Sequence, residues 1–98
     1  MISLRTIEQT GLAEILVFLL GRDKARITDI FVFLRSQGVG QSTMYRALKL
    51  LKENQMIDEE ITDYPKLRLI RLTPKGRRVA EKLLEIKKIL EEETEDEK

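Results

Sequence analysis

The stretch GVGQSTMYRALKLLKENQMIDEE, residues 38–60, decides the fold of this chain. Its middle part predicts a helix over residues 41–54, because apolar side chains recur there at intervals of three and four. The apolar side of this helix carries Met44, Ala47, Leu48 and Leu51. The opposite side is polar and mostly cationic, with Ser42, Tyr45, Arg46, Lys49 and Glu53. Such a helix packs one face against a core and leaves the other face available to solvent or a partner.

A β-hairpin and a last helix follow. The hairpin is predicted over residues 57–72, because the runs MIDEEI and LRLIRLT flank a segment rich in turn-forming residues. In the second run Ile70 and Leu72 can face the core while Arg71 points outwards. Thr73-Pro74 then predicts a helix over residues 74–92, with Thr as the N-cap and Pro at the first helical position.

Two more helices are predicted on the N-terminal side. The segment Thr6-Ile7-Glu8-Gln9 fits a capping box at the start of a broadly apolar helix. This helix should end near Gly21, a residue type suited to the left-handed position after a helix. A short β-branched segment over residues 26–28 comes next, and Thr28 is the expected N-cap of a helix that ends at the turn formed by residues 38–40.

Composition narrows the class of protein. A chain of 98 residues fits one domain, here a mostly helical α+β domain over residues 1–90. The net charge of +1 combines −5 on the last eight residues with +6 on the rest. Residues 93–98 are therefore expected to form a disordered acidic tail, and the basic body suits a polyanionic partner.

Residue types that are missing exclude several kinds of site. The chain has no Cys and no His, which argues against disulfides, thiolate chemistry and the usual zinc sites. The commonest general base at neutral pH is also missing, and no phosphate-binding loop or dinucleotide-binding motif is present. We therefore expect no enzyme activity, no metal and no cofactor. The longest apolar run, residues 15–20, is too short to span a bilayer, so a cytoplasmic, nucleoid-associated location is expected.

The predicted helices on either side of residues 38–40 form the pattern of a helix-turn-helix. The run at residues 38–60, followed by RLIRLTPKG at residues 68–76, resembles the winged-helix cores of MarR-, PadR- and related transcriptional regulators. The resemblance covers residues 28–90. It implies a three-helix core, a hairpin that serves as a wing, a C-terminal dimerisation helix and binding to double-stranded DNA.

The DNA contacts expected from this pattern come from two elements. The helix over residues 41–54 would enter the major groove, where Gln pairs with adenine, Arg pairs with guanine and Ser or Thr can bind base or phosphate. The hairpin over residues 57–72 would contact the flanking backbone or minor groove. The expected DNA-binding residues are Thr28, Gln41, Ser42, Thr43, Tyr45, Arg46, Lys49, Lys66 and Arg68. Tyr45 could equally pack on the neighbouring helix.

Acidic residues on the first hairpin strand would repel phosphate. We expect Asp58, Glu59 and Glu60 to face away from DNA or to lie at the edge of the sheet. The chain is also shorter than most MarR-type regulators, which leaves little room for a pocket that binds a small-molecule effector.

The last helix carries apolar residues with alternating spacings of four and three, which favours a coiled-coil seam. Leu83, Ile86 and Leu90 are the expected dimerisation residues, together with Ile2, Leu4 and Ile7 near the N-terminus. A homodimer would bind a palindromic DNA site. Two alternatives stay open: an architectural DNA-binding protein of low sequence specificity, and a winged-helix module that binds other proteins. The latter would not carry its cations on one continuous surface.

Overall fold

The computed structural model describes residues 4–92, in which five helices and three strands follow one another along the chain. The helices are α1 (Leu4–Ile7), α2 (Leu12–Leu20), α3 (Ile27–Ser36), α4 (Gln41–Glu53) and α5 (Pro74–Glu91). The strands are β1 (Ala25–Arg26), β2 (Ile57–Ile61) and β3 (Arg68–Leu72). The acidic tail predicted at residues 93–98 and Ile2 lie outside the described residues.

Helix α2 forms the centre of the core. It packs against α3, α4, α5 and β3, and its apolar side chains are almost completely buried because neighbours cover it on several sides. The most deeply buried are Leu12, Ile15, Leu16 and Leu19. The broad apolar surface predicted for this helix is thus accounted for by its central position.

The predicted start of this helix is wrong. Thr6 lies inside the separate short helix α1, and α2 begins only at Leu12. The reason is Gly11, whose φ of 87° lies in the left-handed region and interrupts the helix between the two segments. At the other end Gly21 closes α2 with φ −89°, so its expected left-handed conformation is also wrong.

The turn between α3 and α4 is a Schellman motif. Val39 donates its backbone N–H to the carbonyl of Leu34, Gly38 donates to Arg35, and Gly38 has φ +81°. Buried Val39 and Leu34 provide the apolar contact that accompanies this motif. The turn therefore fixes the direction in which α4 leaves α3.

The predicted N-cap of α3 is wrong. Thr28 is the second residue of α3, and the capping position belongs to Arg26. The cause is tertiary: β1 pairs with β3, with Ala25 opposite Ile70 and Arg26 opposite Leu69, so the helix begins immediately after the paired residues. Thr28 is exposed in the first turn of α3.

The C-terminus of α4 repeats the Schellman pattern with an unusual residue. Met56 donates its N–H to the carbonyl of Leu51, and Gln55 donates to Lys52. The left-handed residue is Gln55, with φ 61°, although Asn adopts this conformation more readily than Gln. Asn54 has φ −98°, and its side-chain amide instead donates to the carbonyl of Leu50 at 2.8 Å.

The strands form a three-stranded antiparallel sheet in the order β1-β3-β2. Strand β2 lies at an edge of this sheet, and Glu59 lies opposite Ile70 on β3. Thr73 then starts α5 as predicted: its hydroxyl accepts a hydrogen bond from the N–H of Gly76 at 3.0 Å, and Pro74 occupies the first turn. The predicted winged helix-turn-helix architecture is confirmed.

Candidate nucleic-acid interface

Helix α4 separates its two faces as the periodicity predicts. Met44, Ala47, Leu48 and Leu51 are between 0% and 7% exposed and anchor the helix to the core. The other face points to solvent. Packing of the apolar face against the core therefore fixes the direction in which the polar side chains of α4 point. Gln41, Ser42, Arg46 and Lys49 are exposed, Tyr45 is 40% exposed, and Thr43 is partly buried.

A cleft of about 260 Å³ separates α4 from the hairpin formed by β2 and β3. Leu48, Ile57 and Ile70 supply its apolar lining. The polar lining consists of Tyr45, Lys49, Lys52, Glu59 and Arg68. Helix, edge strand and central strand thus contribute to one site although they are separate elements of the chain.

Glu59 connects the two walls of this cleft. One carboxylate oxygen, Oε1, accepts from Lys52 Nζ at 3.2 Å, and the other, Oε2, accepts from Arg68 Nε. The Glu59 side chain is 11% exposed, whereas Arg68 is 45% and Lys52 is 62% exposed. The carboxylate therefore lies beneath two cations that remain accessible to solvent.

The electrostatics follow from this geometry. The hydrogen bond from Arg68 lowers the pKa of Glu59, with a further contribution from Lys52, while burial acts in the opposite direction. The same hydrogen bond from Arg68 raises the pKa of the guanidinium, and the Tyr45 side chain adds to that effect. Glu59 is ionised at neutral pH, and Lys52, Glu59 and Arg68 together carry one net positive charge.

Asp58, Glu59 and Glu60 lie on the edge strand of the sheet, which is one of the two placements expected for them, but Glu59 also faces the cleft beside α4. Side chains on a strand alternate between faces, so Glu59 shares the face of Ile57, which is 3% exposed against the core. Glu60 points to the other face, where it pairs with Lys24 at 2.9 Å and Arg71 at 3.6 Å. Asp58 is exposed on the edge strand, as expected.

The tip of the hairpin is closed by Thr62. Its backbone N–H donates to the carbonyl of Leu67 at 3.0 Å, and its hydroxyl bonds both the Leu67 N–H and the Pro65 carbonyl. This ordered loop contains a cis peptide bond before Pro65. It presents Tyr64, which is 97% exposed, and Lys66, which is also exposed.

The structure brings together some of the predicted DNA-binding residues and not others. Tyr45, Lys49 and Arg68 line one cleft. Arg46 lies on the outer face of α4, Lys66 lies in the loop at the hairpin tip, and neither lines the cleft. Thr28 is on a different helix, in the first turn of α3.

Three residues of this region were not among those that the sequence assigns to DNA binding, namely Lys52, Glu59 and Tyr64. Lys52 follows Tyr45 by seven positions, which places both on one stripe of the helix. Glu59 could have been placed by the alternation that starts at buried Ile57. Tyr64 carried no signal beyond its position next to Pro65 in a turn.

The predicted dimerisation residues lie on a second, apolar groove. Leu83 is partly buried, while Ile86 is 51% and Leu90 is 78% exposed. They line a groove of about 370 Å³ between α5 and the first two core helices, α2 and α3. Ala13, Val17 and Phe33 form its other apolar walls.

The described part of the chain contains no candidate metal site and no candidate membrane span. Residues 4–92 contain no group of three or more Asp or Glu side chains placed to hold a metal ion. None of the helices in that range is long and apolar enough to cross a membrane.

Comparison with known proteins identifies the fold. No protein-family model and no curated protein matches the chain. Among solved structures, a MarR-family transcriptional regulator from Silicibacter pomeroyi is 31% identical, with a TM-score of 0.66. The match covers 76% of this chain and 49% of that protein, so the chain spans about half the length of this relative.

Two further solved structures share the fold at lower identity. The transcriptional regulator YodB from B. subtilis has a TM-score of 0.74 at 18% identity, covering 86% of this chain and 80% of its own. The transcriptional repressor BigR from Xylella fastidiosa has a TM-score of 0.69 at 20% identity, covering 92% and 84%. The fold of this chain is therefore similar to that of solved winged helix-turn-helix transcriptional regulators, among them a member of the MarR family.

Proposed function

We propose that the chain binds double-stranded DNA as a transcriptional regulator, with α4 as the recognition helix in the major groove and the β2–β3 hairpin as the wing. The observation that carries this proposal is the division of α4 into a buried apolar face and an exposed face with Gln41, Ser42, Arg46 and Lys49. The similarity to solved transcriptional regulators supports the same function.

Each part of this surface suits a different contact. The N-terminal residues of a recognition helix reach base edges, where Gln41 and Arg46 can make bidentate pairs with adenine and guanine. The backbone N–H groups at the start of α4 and the ammonium group of Lys49 suit phosphate. Lys66 at the tip of the wing would meet the flanking backbone, and Thr28 at the start of α3 would contact a phosphate.

The test begins with selection of bound duplexes from a random DNA pool, followed by affinity measurements on variants. Arg46→Ala should lose about 1–3 kcal/mol on the selected duplex and relax specificity at one position. Lys66→Ala should weaken binding to all sequences alike and reduce the salt slope by about 0.9. Lys82→Ala removes the same charge from an exposed position on α5 and serves as the control.

The selection also separates the alternative functions. A preferred sequence supports a sequence-specific regulator. Salt-dependent binding without any preferred sequence would point to an architectural protein, and no binding at low salt would point to a module that binds other proteins. Wild-type affinity in both the Arg46 and Lys66 variants would contradict the assignment of α4 and the wing.

We further propose that the regulator is a homodimer joined through the second half of α5. Exposed Ile86 and Leu90 next to an apolar groove support this arrangement, because apolar patches of this kind mark interaction sites. Partial burial of Leu4 and Ile7 by the partner would extend the same interface. Two recognition helices related by a two-fold axis would then meet half-sites about 34 Å apart.

The assay for the dimer is sedimentation equilibrium. Leu90→Glu should sediment as a monomer, because a carboxylate at the seam would lose its water on association. Lys88→Glu places a carboxylate on the opposite side of α5 and should leave the dimer intact. A Leu90→Glu dimer as stable as the wild type would rule out this seam.

A further inference from the structure

The cleft between α4 and the wing contains a carboxylate where a DNA-binding surface would be expected to carry only cations. Glu59 is the one acidic residue among those that line this cleft. It is held by one cation from the helix, Lys52, and one from the wing, Arg68. Three elements therefore combine to keep a negative charge at the surface that we assign to DNA.

The arrangement is specific to this position on the strand. Glu60, the next residue, carries the same charge but points to the opposite face, towards Lys24 and Arg71. Glu59 is the more enclosed of the two side chains, at 11% exposed against 42% for Glu60. The pair thus forms a natural comparison between a carboxylate inside the cleft and one outside it.

A carboxylate and a phosphate compete for the same donors. Arg and Lys pair with either anion through charge-assisted hydrogen bonds. With Glu59 in place, a phosphate that approaches Arg68 or Lys52 meets a cation with one donor already engaged and a negative charge close behind it. Fewer counterions are then released from DNA on binding, which weakens the part of the affinity that does not depend on sequence.

We propose that Glu59 is a specificity-determining residue, which engages one donor of Arg68 and one of Lys52, offsets part of their positive charge and so lowers the affinity for DNA of arbitrary sequence. This inference rests on the proposed DNA-binding function. Base contacts from the N-terminal half of α4 do not involve these donors, so the preferred site keeps more of its affinity than other sequences do. The residue thereby raises the ratio between specific and non-specific binding.

The experiment compares Glu59→Gln with Glu60→Gln by fluorescence anisotropy on the selected duplex and on a scrambled duplex, over a range of KCl concentrations. Glu59→Gln should bind the scrambled duplex about tenfold more tightly at 0.1 M salt, with a log–log salt slope steeper by about one, as for one additional phosphate contact. Its preference for the selected duplex should fall. Glu60→Gln removes the same charge and should change both affinities by less than about threefold.

A double-mutant cycle tests the coupling between Glu59 and Arg68. Arg68→Gln should cost about twofold in affinity for the scrambled duplex when Glu59 is present, and about tenfold in the Glu59→Gln background. Circular dichroism and urea unfolding of each variant establish that it is folded. An equal cost of Arg68→Gln in both backgrounds would overturn the inference.

The outcomes separate this inference from the proposed function. If wild-type protein binds neither duplex at low salt, DNA binding itself fails. If wild type binds and Glu59→Gln has the same or lower affinity for the scrambled duplex, Glu59 does not suppress non-specific binding, and the proposed DNA-binding function still stands.

Discussion

Gly76 in the first turn of α5 provides the sharpest test of how the wing is joined to the core. The segment Leu72-Thr73-Pro74-Lys75-Gly76 passes so close to Met56 that a Cβ built on Gly76 would lie 1.9 Å from the Met56 carbonyl oxygen and 2.8 Å from its carbon. Both atoms belong to the backbone at the entry to β2, so no side chain can move aside. The change Gly76→Ala therefore forces α5 and the start of the wing apart.

The loss in the free energy of unfolding caused by Gly76→Ala follows from these contacts. Relieving the clash to 3.0 Å requires a backbone movement of about 1.1 Å, and overpacking of this kind costs about 1–3 kcal/mol or more. The movement also strains the hydrogen bond from the Thr73 N–H to the Met56 carbonyl, 3.0 Å long, which contributes about 1 kcal/mol. The higher helix propensity of Ala stabilises the folded protein by about 1 kcal/mol and so offsets part of this loss. We expect a net loss of about 1–3 kcal/mol in the free energy of unfolding.

Urea unfolding followed by circular dichroism measures this loss. With an m value of about 1.5 kcal/mol/M, the midpoint should fall by about 0.7–2 M. Gly21→Ala is the matched control, because its φ is −89° and nothing lies within 4 Å of a Cβ there; it should stay within about 0.5 kcal/mol of wild type. A Gly76→Ala protein as stable as the Gly21→Ala control would refute the close approach between α5 and Met56.

Three further predictions concern the turn, the cap and the cleft. Gly38→Ala has open space around its Cβ but a φ of +81°, so it should cost about 1–2 kcal/mol from backbone strain alone, measured by urea unfolding against Gly21→Ala. Thr73→Val removes the hydroxyl that accepts from Gly76 N–H and donates to the Gln55 carbonyl at 2.7 Å; thermal unfolding should show a loss of about 1–2 kcal/mol, and an unchanged midpoint would contradict the capping role. The pKa of Glu59 is lowered from its ordinary value of 4.5. Its ion pairs therefore increase the free energy of unfolding when the pH is above 4.5, and this contribution is lost as the pH falls through the lowered pKa. The stability difference between wild type and Glu59→Gln should therefore be largest near neutral pH and vanish in acid, and a difference independent of pH would contradict this.

Several features of the chain follow from local patterns in the sequence. The spacing of Met44, Ala47, Leu48 and Leu51 predicts the buried face of α4, because helical geometry alone places these side chains on one side. Thr73-Pro74 predicts the start of α5, because capping depends on residues within a single turn. The same holds for the hairpin, whose two runs and turn-forming loop are contiguous in the chain.

Other features were decided by contacts between distant residues. The helix α3 begins at Ile27 rather than after Thr28, because β1 pairs with β3 more than forty residues away. Gln55 takes the left-handed conformation, although the preceding Asn54 is of a type that adopts it more readily, because Met56 must return to the core after α4. Neither outcome can be obtained from the propensities of the residues themselves.

In the candidate site, too, some features follow from local sequence patterns and others from tertiary contacts. Exposure of the polar face of α4 follows from its periodicity, and so the sequence by itself determined which side of this helix is exposed to solvent. Only the tertiary structure decided that Glu59 lies between Lys52 and Arg68. The physical reason is that an ion pair depends on the distance between side chains, and here that distance is set by packing of the edge strand against α4, with Ile57 and Ile70 buried between them.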